Sequence, residues 1–176
     1  AYIPTNVISI TDGQIFLESD LFFAGMRPAV NVGLSVSRVG GAAQTKAMKK
    51  ASGSIRIDLA QYREMEVFTQ FSSDLDEATK AQLTYGSCLM ELLKQPLCSP
   101  LKLHEQVITL WAATHKAFVH VETKKIKQYQ KELLEYFDNV YPEVGREINE
   151  SKQLSDELGE KILQIAEEFR SRSAAE

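Results

Sequence analysis

After Thr45, hydrophobic residues recur at the three- and four-residue intervals that place them on one face of an α-helix. Four such stripes are present: Ala81, Tyr85, Cys88, Leu89 and Leu92; Val107, Leu110, Trp111, Thr114 and Phe118; Ile126, Tyr129, Leu133, Phe137 and Val140; and Leu158, Ile162, Ile165 and Phe169. Asp74 or Asp76 is placed to cap the first of these helices, and Ser155 the last. The pattern predicts a helical bundle that closes its own core.

The first 44 residues are rich in β-branched residues, glycine and proline. Asp12-Gly13 separates Val7–Thr11 from Gln14–Leu17, and an Asp-Gly pair between two short apolar runs is typical of a β-hairpin. Ala29–Val32 predicts a further short strand. Two or three strands form only a marginal sheet. They therefore either pack on the bundle or form the edge of a larger α/β domain, and the start of the chain without a methionine favours the second alternative.

Composition excludes several classes of protein. The 176 residues (19.8 kDa) are 44% hydrophobic and 25% charged, close to the average of globular proteins, which argues against a disordered chain. No apolar run approaches the roughly 20 residues that cross a bilayer, so no direct membrane span is expected. The net charge of −4 and the pI near 5.5 predict no broad basic surface and therefore no nucleic-acid partner.

Familiar catalytic motifs are missing from the sequence, which contains no GxxxxGK[ST] P-loop, GxGxxG, GxSxG or HExxH. His104, His115 and His120 lack the three- or four-residue spacing of a zinc-binding helix face, so the sequence predicts no metal site. Cys88 and Cys98 do not form a CxxC pair. We expect two half-buried thiols in a reducing compartment, without a catalytic role.

One segment is suited to binding an anion. A short strand that begins at Pro28 leads into the Ser- and Gly-rich stretch Gly33–Gly41, which presents a single arginine, Arg38. The guanidinium fork matches the geometry of a phosphate group and keeps its charge at every physiological pH. The local pattern leaves two alternatives open: a structural arginine paired with a nearby carboxylate, or an arginine held on stiff backbone to meet an anion.

The same segment resembles the signature shared by the alpha and beta subunits of rotary ATP synthases. That signature is Pro, a small residue, an aliphatic residue, Asn or Asp, three free positions and Ser-x-Ser, and Pro28–Ser37 fits it. The continuation Val32–Gly40 with Ala42–Thr45 is similar to the alpha subunits of F-type synthases rather than to beta. Further similar stretches extend the resemblance over essentially the whole chain: Tyr2–Gln14, Leu59–Glu64, Ser73–Asp76 and Leu92–Pro96.

This resemblance implies a fold that is mostly α-helical. Residues 1–44 would be the C-terminal edge of a RecA-like α/β nucleotide-binding domain whose P-loop part is absent from this chain. Residues 45–176 would be the C-terminal helical domain. The chain would then be a C-terminal fragment of an F-type, proton-translocating alpha subunit.

The resemblance also implies a catalytic role for one residue. Arg38 takes the place of the family's arginine finger, which reaches into the catalytic site of a neighbouring beta subunit and stabilises charge on the γ-phosphoryl group. Ser9 and Val36 resemble positions that line the same shared interface.

A second, non-catalytic nucleotide site is implied for the alpha subunit itself. Arg27, Pro28 and Gln95 match the part of that site around the base and ribose. Where some members of the family carry a second glutamine, this chain has Leu97. ATP or ADP with Mg²⁺ is the cofactor expected for the full-length subunit. The isolated chain is expected to be inactive and to bind nucleotide weakly or not at all.

The implied partners are beta subunits in an alternating alpha3–beta3 hexamer, the central stalk gamma subunit and the peripheral stalk. The complex couples ATP synthesis and hydrolysis to proton transport, as a peripheral assembly on the cytoplasmic face of a bacterial plasma membrane or the equivalent organelle face. The acidic turn Ser73–Asp76 resembles a segment that faces the central stalk and is equally a plain helix cap. The alternative for the whole chain is a stand-alone helical interaction module with no nucleotide role.

Overall fold

Helices account for most of the residues that the computed structural model describes, 2–69 and 76–173. The α-helices are α1 (Tyr2–Ile10), α2 (Ser19–Phe23), α3 (Gly40–Ala43), α4 (Lys46–Ala51), α5 (Ile55–Thr69), α6 (Glu77–Leu93), α7 (Leu103–Thr114), α8 (Ile126–Val140), α9 (Pro142–Ser151) and α10 (Asp156–Ser173). Strands β1 (Gly13–Gln14) and β2 (Val36–Ser37) pair antiparallel. The predicted fold, a mostly helical chain with few strands, is confirmed.

The helices from α4 onward share one hydrophobic core, with α7 at its centre. Helix α7 packs against α4, α8, α9 and α10, so several of its sides are covered. The largest fully buried side chains come from five helices and the turn after α7: Phe118, Phe137, Leu89, Ile108, Ile126, Leu133, Ile148 and Ile162. None of the described helices is long and apolar enough to cross a bilayer.

The sequence patterns locate these helices well. The stripes predicted for α6, α8 and α10 supply most of their buried residues. The Asp76 side chain accepts a hydrogen bond from the Thr79 backbone N–H at 2.9 Å, and Ser155 Oγ accepts one from the Leu158 N–H at 3.1 Å, so both caps are confirmed. The alternative cap, Asp74, lies outside the described residues, as does the rest of the acidic turn before Asp76.

The predicted hairpin is wrong. The segment before Asp12 forms helix α1, which has no buried residue, and β1 pairs with β2 instead. A strand needs a partner for its backbone N–H and C=O groups, whereas a helix pairs them internally. Val7–Thr11 has no such partner strand among the described residues, and the Thr11 N–H donates to the Val7 carbonyl oxygen at 3.0 Å as in a helical turn.

The predicted strand Ala29–Val32 is reduced to a short pairing with the chain before α2. Leu17 and Val30 form an isolated antiparallel bridge, and the Asn31 N–H donates to the Phe16 carbonyl oxygen at 2.8 Å. The pairing ends there because the chain turns at Gly33 toward β2.

Asn31 joins this N-terminal segment to the helical domain. Its side chain is buried; the amide nitrogen donates to Glu18 Oε1 at 2.8 Å, and its Oδ1 accepts from Arg63 Nη1 of α5 at 2.9 Å and from the Leu34 N–H at 3.0 Å. A second link is made by Arg56 Nη2, which donates to the Gly33 carbonyl oxygen at 2.9 Å. The segment is therefore fixed to α5 through polar contacts.

Asn31→Ala is expected to loosen this attachment. The substitution removes the acceptor of Arg63 and of the Leu34 N–H and the donor to Glu18, and a part-buried group that loses its partner costs about 1–3 kcal/mol. Native-state hydrogen exchange should then show faster exchange of the Leu34 amide, with the α8 amides unchanged. Asn6→Ala, on the exposed helix α1, is the control; equal exchange in both variants would contradict the role given to Asn31.

Candidate functional site

The backbone around Arg38 is fixed on both sides. Arg38 directly follows β2, and its N–H donates to the Asp12 carbonyl oxygen at 2.7 Å, which extends the β1–β2 pairing by one bond. Ser37 Oγ accepts from the Gly40 N–H at 2.8 Å and sets the turn into α3. Gly13 is required opposite β2, because a Cβ there would overlap the Val36 carbonyl oxygen.

The signature residues before Arg38 build this loop. Ser35 Oγ donates to the Asn31 carbonyl oxygen at 2.6 Å and accepts from the Phe16 N–H at 2.9 Å. Together with the hydrogen bond from the Leu34 N–H to Asn31 Oδ1, these bonds fix the backbone of Gly33–Ser37. The polar residues of the signature therefore have a structural role: they hold the loop and determine the position of Arg38.

The side chain of Arg38 projects from this scaffold into solvent. Among the described residues no carboxylate forms an ion pair with it, unlike Arg170, which pairs with Glu167 at 3.3 Å. One of the two alternatives left open by the sequence, a structural arginine with a local carboxylate partner, has no such partner in the described residues. The other alternative, an arginine displayed for an anion, agrees with this geometry.

A shallow concavity of about 310 Å³ lies beside β2. It is lined by Gln14, Ile15, Val30, Val32, Ser35, Val36, Ser37 and Arg56. Arg56, at the start of α5, lines this concavity although no pattern in the sequence indicates it. It lies 18 positions after Arg38 in an ordinary helix pattern, and only the fold brings its guanidinium to Gly33 and this concavity.

Two of the three residues assigned by resemblance to a nucleotide pocket are in contact. The Gln95 N–H donates to the Arg27 carbonyl oxygen at 2.9 Å, which brings the turn after α6 next to Arg27-Pro28. The Arg27 guanidinium lies 4.6 Å from the centre of the Phe22 ring, and Gln95 Nε2 donates to the Ser99 carbonyl oxygen at 2.9 Å. Leu97 is 93% exposed in the same turn. The nucleotide role of this group stays a prediction.

Ser9 and Val36 occupy different elements. Ser9 lies on the exposed helix α1, where its Oγ donates to the Asn6 carbonyl oxygen at 2.8 Å. Val36 pairs with Gln14 in the β1–β2 ladder and is half exposed. The interface role given to these two residues also stays a prediction.

The cysteines differ from the expectation of two half-buried thiols. Cys88 is buried in α6, and burial raises the pKa of its thiol to about 12, which makes it a poor nucleophile. Cys98 is exposed, and that part of the prediction is wrong because the turn after α6 leaves the helical core. His115 and His120 are exposed, whereas His104 is buried between α7, α8 and α9.

Comparison with known families agrees with this fold. Residues 1–37 match the model of the ATP synthase alpha/beta family, nucleotide-binding domain, and residues 44–169 match the ATP synthase alpha/beta chain, C terminal domain. Both matched regions come from one class of protein, the alpha and beta subunits of ATP synthases. The chain belongs to the ATP synthase alpha/beta chain family, and the resemblance found in its sequence is confirmed.

Several relatives of the chain are bacterial ATP synthase alpha subunits. The chain is 53% identical over 171 residues to ATP synthase subunit alpha of Clostridium botulinum, 51% over 172 residues to that of Aquifex aeolicus and 54% over 169 residues to that of Petrotoga mobilis. These alignments cover 97%, 98% and 96% of this chain and 34% of each relative. The chain thus spans about a third of the length of these relatives.

Proposed function

We propose that this chain is the C-terminal part of an ATP synthase alpha subunit, in which Arg38 acts as an arginine finger. In an alternating hexamer of alpha and beta subunits, its guanidinium would reach the γ-phosphoryl group of ATP bound by a neighbouring beta subunit. The observation that carries the proposal is an exposed arginine on a rigid loop that forms no ion pair within the described residues.

The chemistry of Arg38 fits this role. Phosphoryl transfer spreads negative charge over the equatorial oxygens, and a planar guanidinium donates two parallel hydrogen bonds to such oxygens. Two hydrogen bonds, from the Arg38 N–H to the Asp12 carbonyl oxygen and from the Gly40 N–H to Ser37 Oγ, fix the backbone around Arg38 before any ligand binds. The backbone around Arg38 is thus already ordered, so little conformational entropy is lost when a phosphate group binds.

The apolar surface of the N-terminal segment supports burial in a larger assembly. Most of the large apolar side chains that stay exposed in the described residues lie before residue 45, including Tyr2, Ile10 and Phe23 at 80–83% exposure. Exposed apolar surface of this extent marks an interaction face. We assign it to contact with the remainder of a nucleotide-binding domain and with beta subunits.

A nucleotide site of the alpha subunit itself is a second part of the proposal. Arg27, Pro28 and Gln95 would lie around the base and ribose of a bound ATP or ADP with Mg²⁺ in the full-length subunit, where the nucleotide has a regulatory rather than a catalytic role. The contact between Gln95 and Arg27 supports their grouping. Because this sequence has no P-loop motif, the chain alone should bind nucleotide weakly or not at all.

The wider assembly follows from the same proposal. The gamma subunit of the central stalk and the peripheral stalk would be further partners. The complex would be peripheral to the membrane, on the cytoplasmic face of a bacterial plasma membrane or the equivalent organelle face. There it would couple ATP synthesis and hydrolysis to proton transport.

A stand-alone helical interaction module is the second candidate. It is favoured by the polar contacts that dock the N-terminal segment on α5, through Asn31–Arg63 and Gly33–Arg56. It does not explain two features: the exposed apolar side chains of α1, and the exposed guanidinium of Arg38, which has no ion pair within residues 2–69 and 76–173. We therefore prefer the subunit.

Steady-state ATP hydrolysis by an alpha–beta–gamma assembly tests the proposal, with Arg38→Lys introduced into the full-length alpha subunit. Lysine keeps the charge and removes the planar fork. Loss of turnover in a complex that still assembles and binds nucleotide supports the finger. Unchanged turnover would leave Arg38 as a surface arginine and favour the helical module.

A further inference from the structure

Three potential metal ligands meet on the helical domain, in a cluster with no part in the proposed phosphoryl chemistry. His104 and Glu105 of α7 face Asp138 of α8, and one ligand atom from each of the three lies within 4.8 Å of the other two. His104 Nε2 is 3.3 Å from Asp138 Oδ1. We propose that His104, Glu105 and Asp138 bind a divalent transition-metal ion, for which Zn²⁺ is the best fit.

The distances suit a tetrahedral ion. Zn²⁺ bonds to imidazole nitrogen and carboxylate oxygen at about 2.0–2.2 Å, so neighbouring ligand atoms in a tetrahedral site are about 3.3–3.5 Å apart. The separation of His104 Nε2 and Asp138 Oδ1 already has this value. A rotation of the Glu105 carboxylate closes the remaining gap, since its atom starts within 4.8 Å of both others.

The exposure of the three ligand side chains indicates that the proposed ion would lie at the edge of the helical domain. The His104 side chain is 8% exposed and that of Glu105 is 17% exposed, so two of the three ligands are held by packing. The Asp138 side chain is 47% exposed and leaves the site open to solvent on one side. That opening provides an entry path and room for a water molecule as the fourth ligand.

The surroundings of the imidazole orient it as a metal ligand requires. Asn149 Nδ2 of α9 lies 2.9 Å from His104 Nδ1, and a half-turn of this amide would present its oxygen to a protonated Nδ1 while Nε2 binds the ion. Gly145, also on α9, packs against the ring: a Cβ at this position would lie 3.0 Å from His104 Cδ2. The ring is therefore fixed by two contacts with α9, by Asn149 at Nδ1 and by Gly145 along the edge that carries Cδ2 and Nε2.

The Lys102 ammonium group lies near Glu105 and would limit the affinity of the cluster for a metal ion. Glu105 Oε2 accepts from the Lys102 backbone N–H at 2.5 Å, and its Oε1 lies 4.0 Å from Lys102 Nζ. An ionised carboxylate has about four lone-pair positions, so Glu105 can keep its helix-capping bond and still bind the ion. The exposed lysine ammonium can turn away into solvent.

The spacing of the histidines in the sequence does not indicate this arrangement. It predicts no metal site, because a zinc-binding helix face is expected to supply two histidines three or four positions apart. Here a single histidine has carboxylates at the next residue and 34 positions later, and only the packing of α7 against α8 joins them.

Isothermal titration of the full 176-residue chain with zinc chloride in metal-free buffer tests the proposal. Every sample carries Cys98→Ser, so that the exposed thiol does not bind zinc. One saturable equivalent is expected, and Asp138→Asn and Glu105→Gln should each weaken it about tenfold or more. Glu135→Gln removes the same charge from an exposed position on α8 that pairs with Lys131, and it should bind zinc like the parent.

A second readout separates metal ligation from a structural role of these side chains. Thermal unfolding without metal establishes that each variant is folded, and nitrogen NMR follows the His104 imidazole. Zinc should shift the Nε2 resonance of the parent and of Glu135→Gln, and it should shift that of Asp138→Asn only at higher zinc concentration. The proposal is overturned if zinc shows no saturable binding, or if both carboxylate variants bind it as tightly as the parent.

Discussion

An assembly that carries Arg38→Lys in its alpha subunits is expected to lose ATP turnover by about a thousandfold or more, the range found for arginine fingers in nucleotidases. The loss has a geometric cause. The lysine ammonium is a point charge and cannot donate two parallel hydrogen bonds to the transferring phosphoryl group. Negative charge spreads over the phosphoryl oxygens only during the reaction. The kcat should therefore fall far more than the affinity for the bound nucleotide.

Assembly itself should be unaffected by this substitution. The side chain of Arg38 is exposed, and the bond from its N–H to Asp12 is a backbone bond that lysine retains. Arg146→Lys, at an exposed position on α9, is the matched control and should keep the parent's turnover. Turnover of Arg38→Lys within about twofold of that control would contradict a catalytic role for the guanidinium.

Phe137→Ala is expected to lower the free energy of unfolding of the chain by about 3–5 kcal/mol. The Phe137 ring is 1% exposed on α8, inside the core shared with α7 and α9. Truncation removes the transfer free energy of the ring and leaves a cavity that its neighbours fill only in part. Urea unfolding followed by circular dichroism measures the change.

Val140→Ala is the control on the same helix. Val140 belongs to the same predicted apolar stripe, but it is 47% exposed at the end of α8. Its truncation should cost well under about 1 kcal/mol, as surface substitutions do. Similar losses for the two variants would show that α8 does not present the Phe137 face to the core.

This contrast indicates how far periodicity predicts the fold. The spacing of apolar residues located α6, α8 and α10 because each has one covered face, but it could not distinguish Phe137 from Val140. It was least accurate for α7. There Leu110 and Trp111 were predicted on the buried stripe and are only partly buried, whereas Ile108 and Ala112 are fully buried. A helix surrounded by four others has no single apolar face.

The N-terminal segment shows a different limit. Asp12-Gly13 predicted a hairpin with the segment before it, but the partner of β1 lies more than twenty residues later in β2, and no local pattern specifies such a pairing. The resemblance assigned a catalytic role to the stretch around Arg38. Only the structure shows that Asn31 and Ser35 hold the loop through hydrogen bonds, whereas Arg38 is the exposed residue that this loop positions.

Chemical rescue of an Arg38→Ala assembly tests whether the guanidinium of Arg38 acts on the phosphoryl group. ATP hydrolysis is measured with guanidinium added at concentrations too low to denature the complex, and in parallel with methylammonium at the same ionic strength. If the guanidinium of Arg38 acts on the phosphoryl group, the variant is nearly inactive and only guanidinium restores part of its turnover. Wild-type turnover in Arg38→Ala, or equal stimulation by both cations, would contradict the assignment.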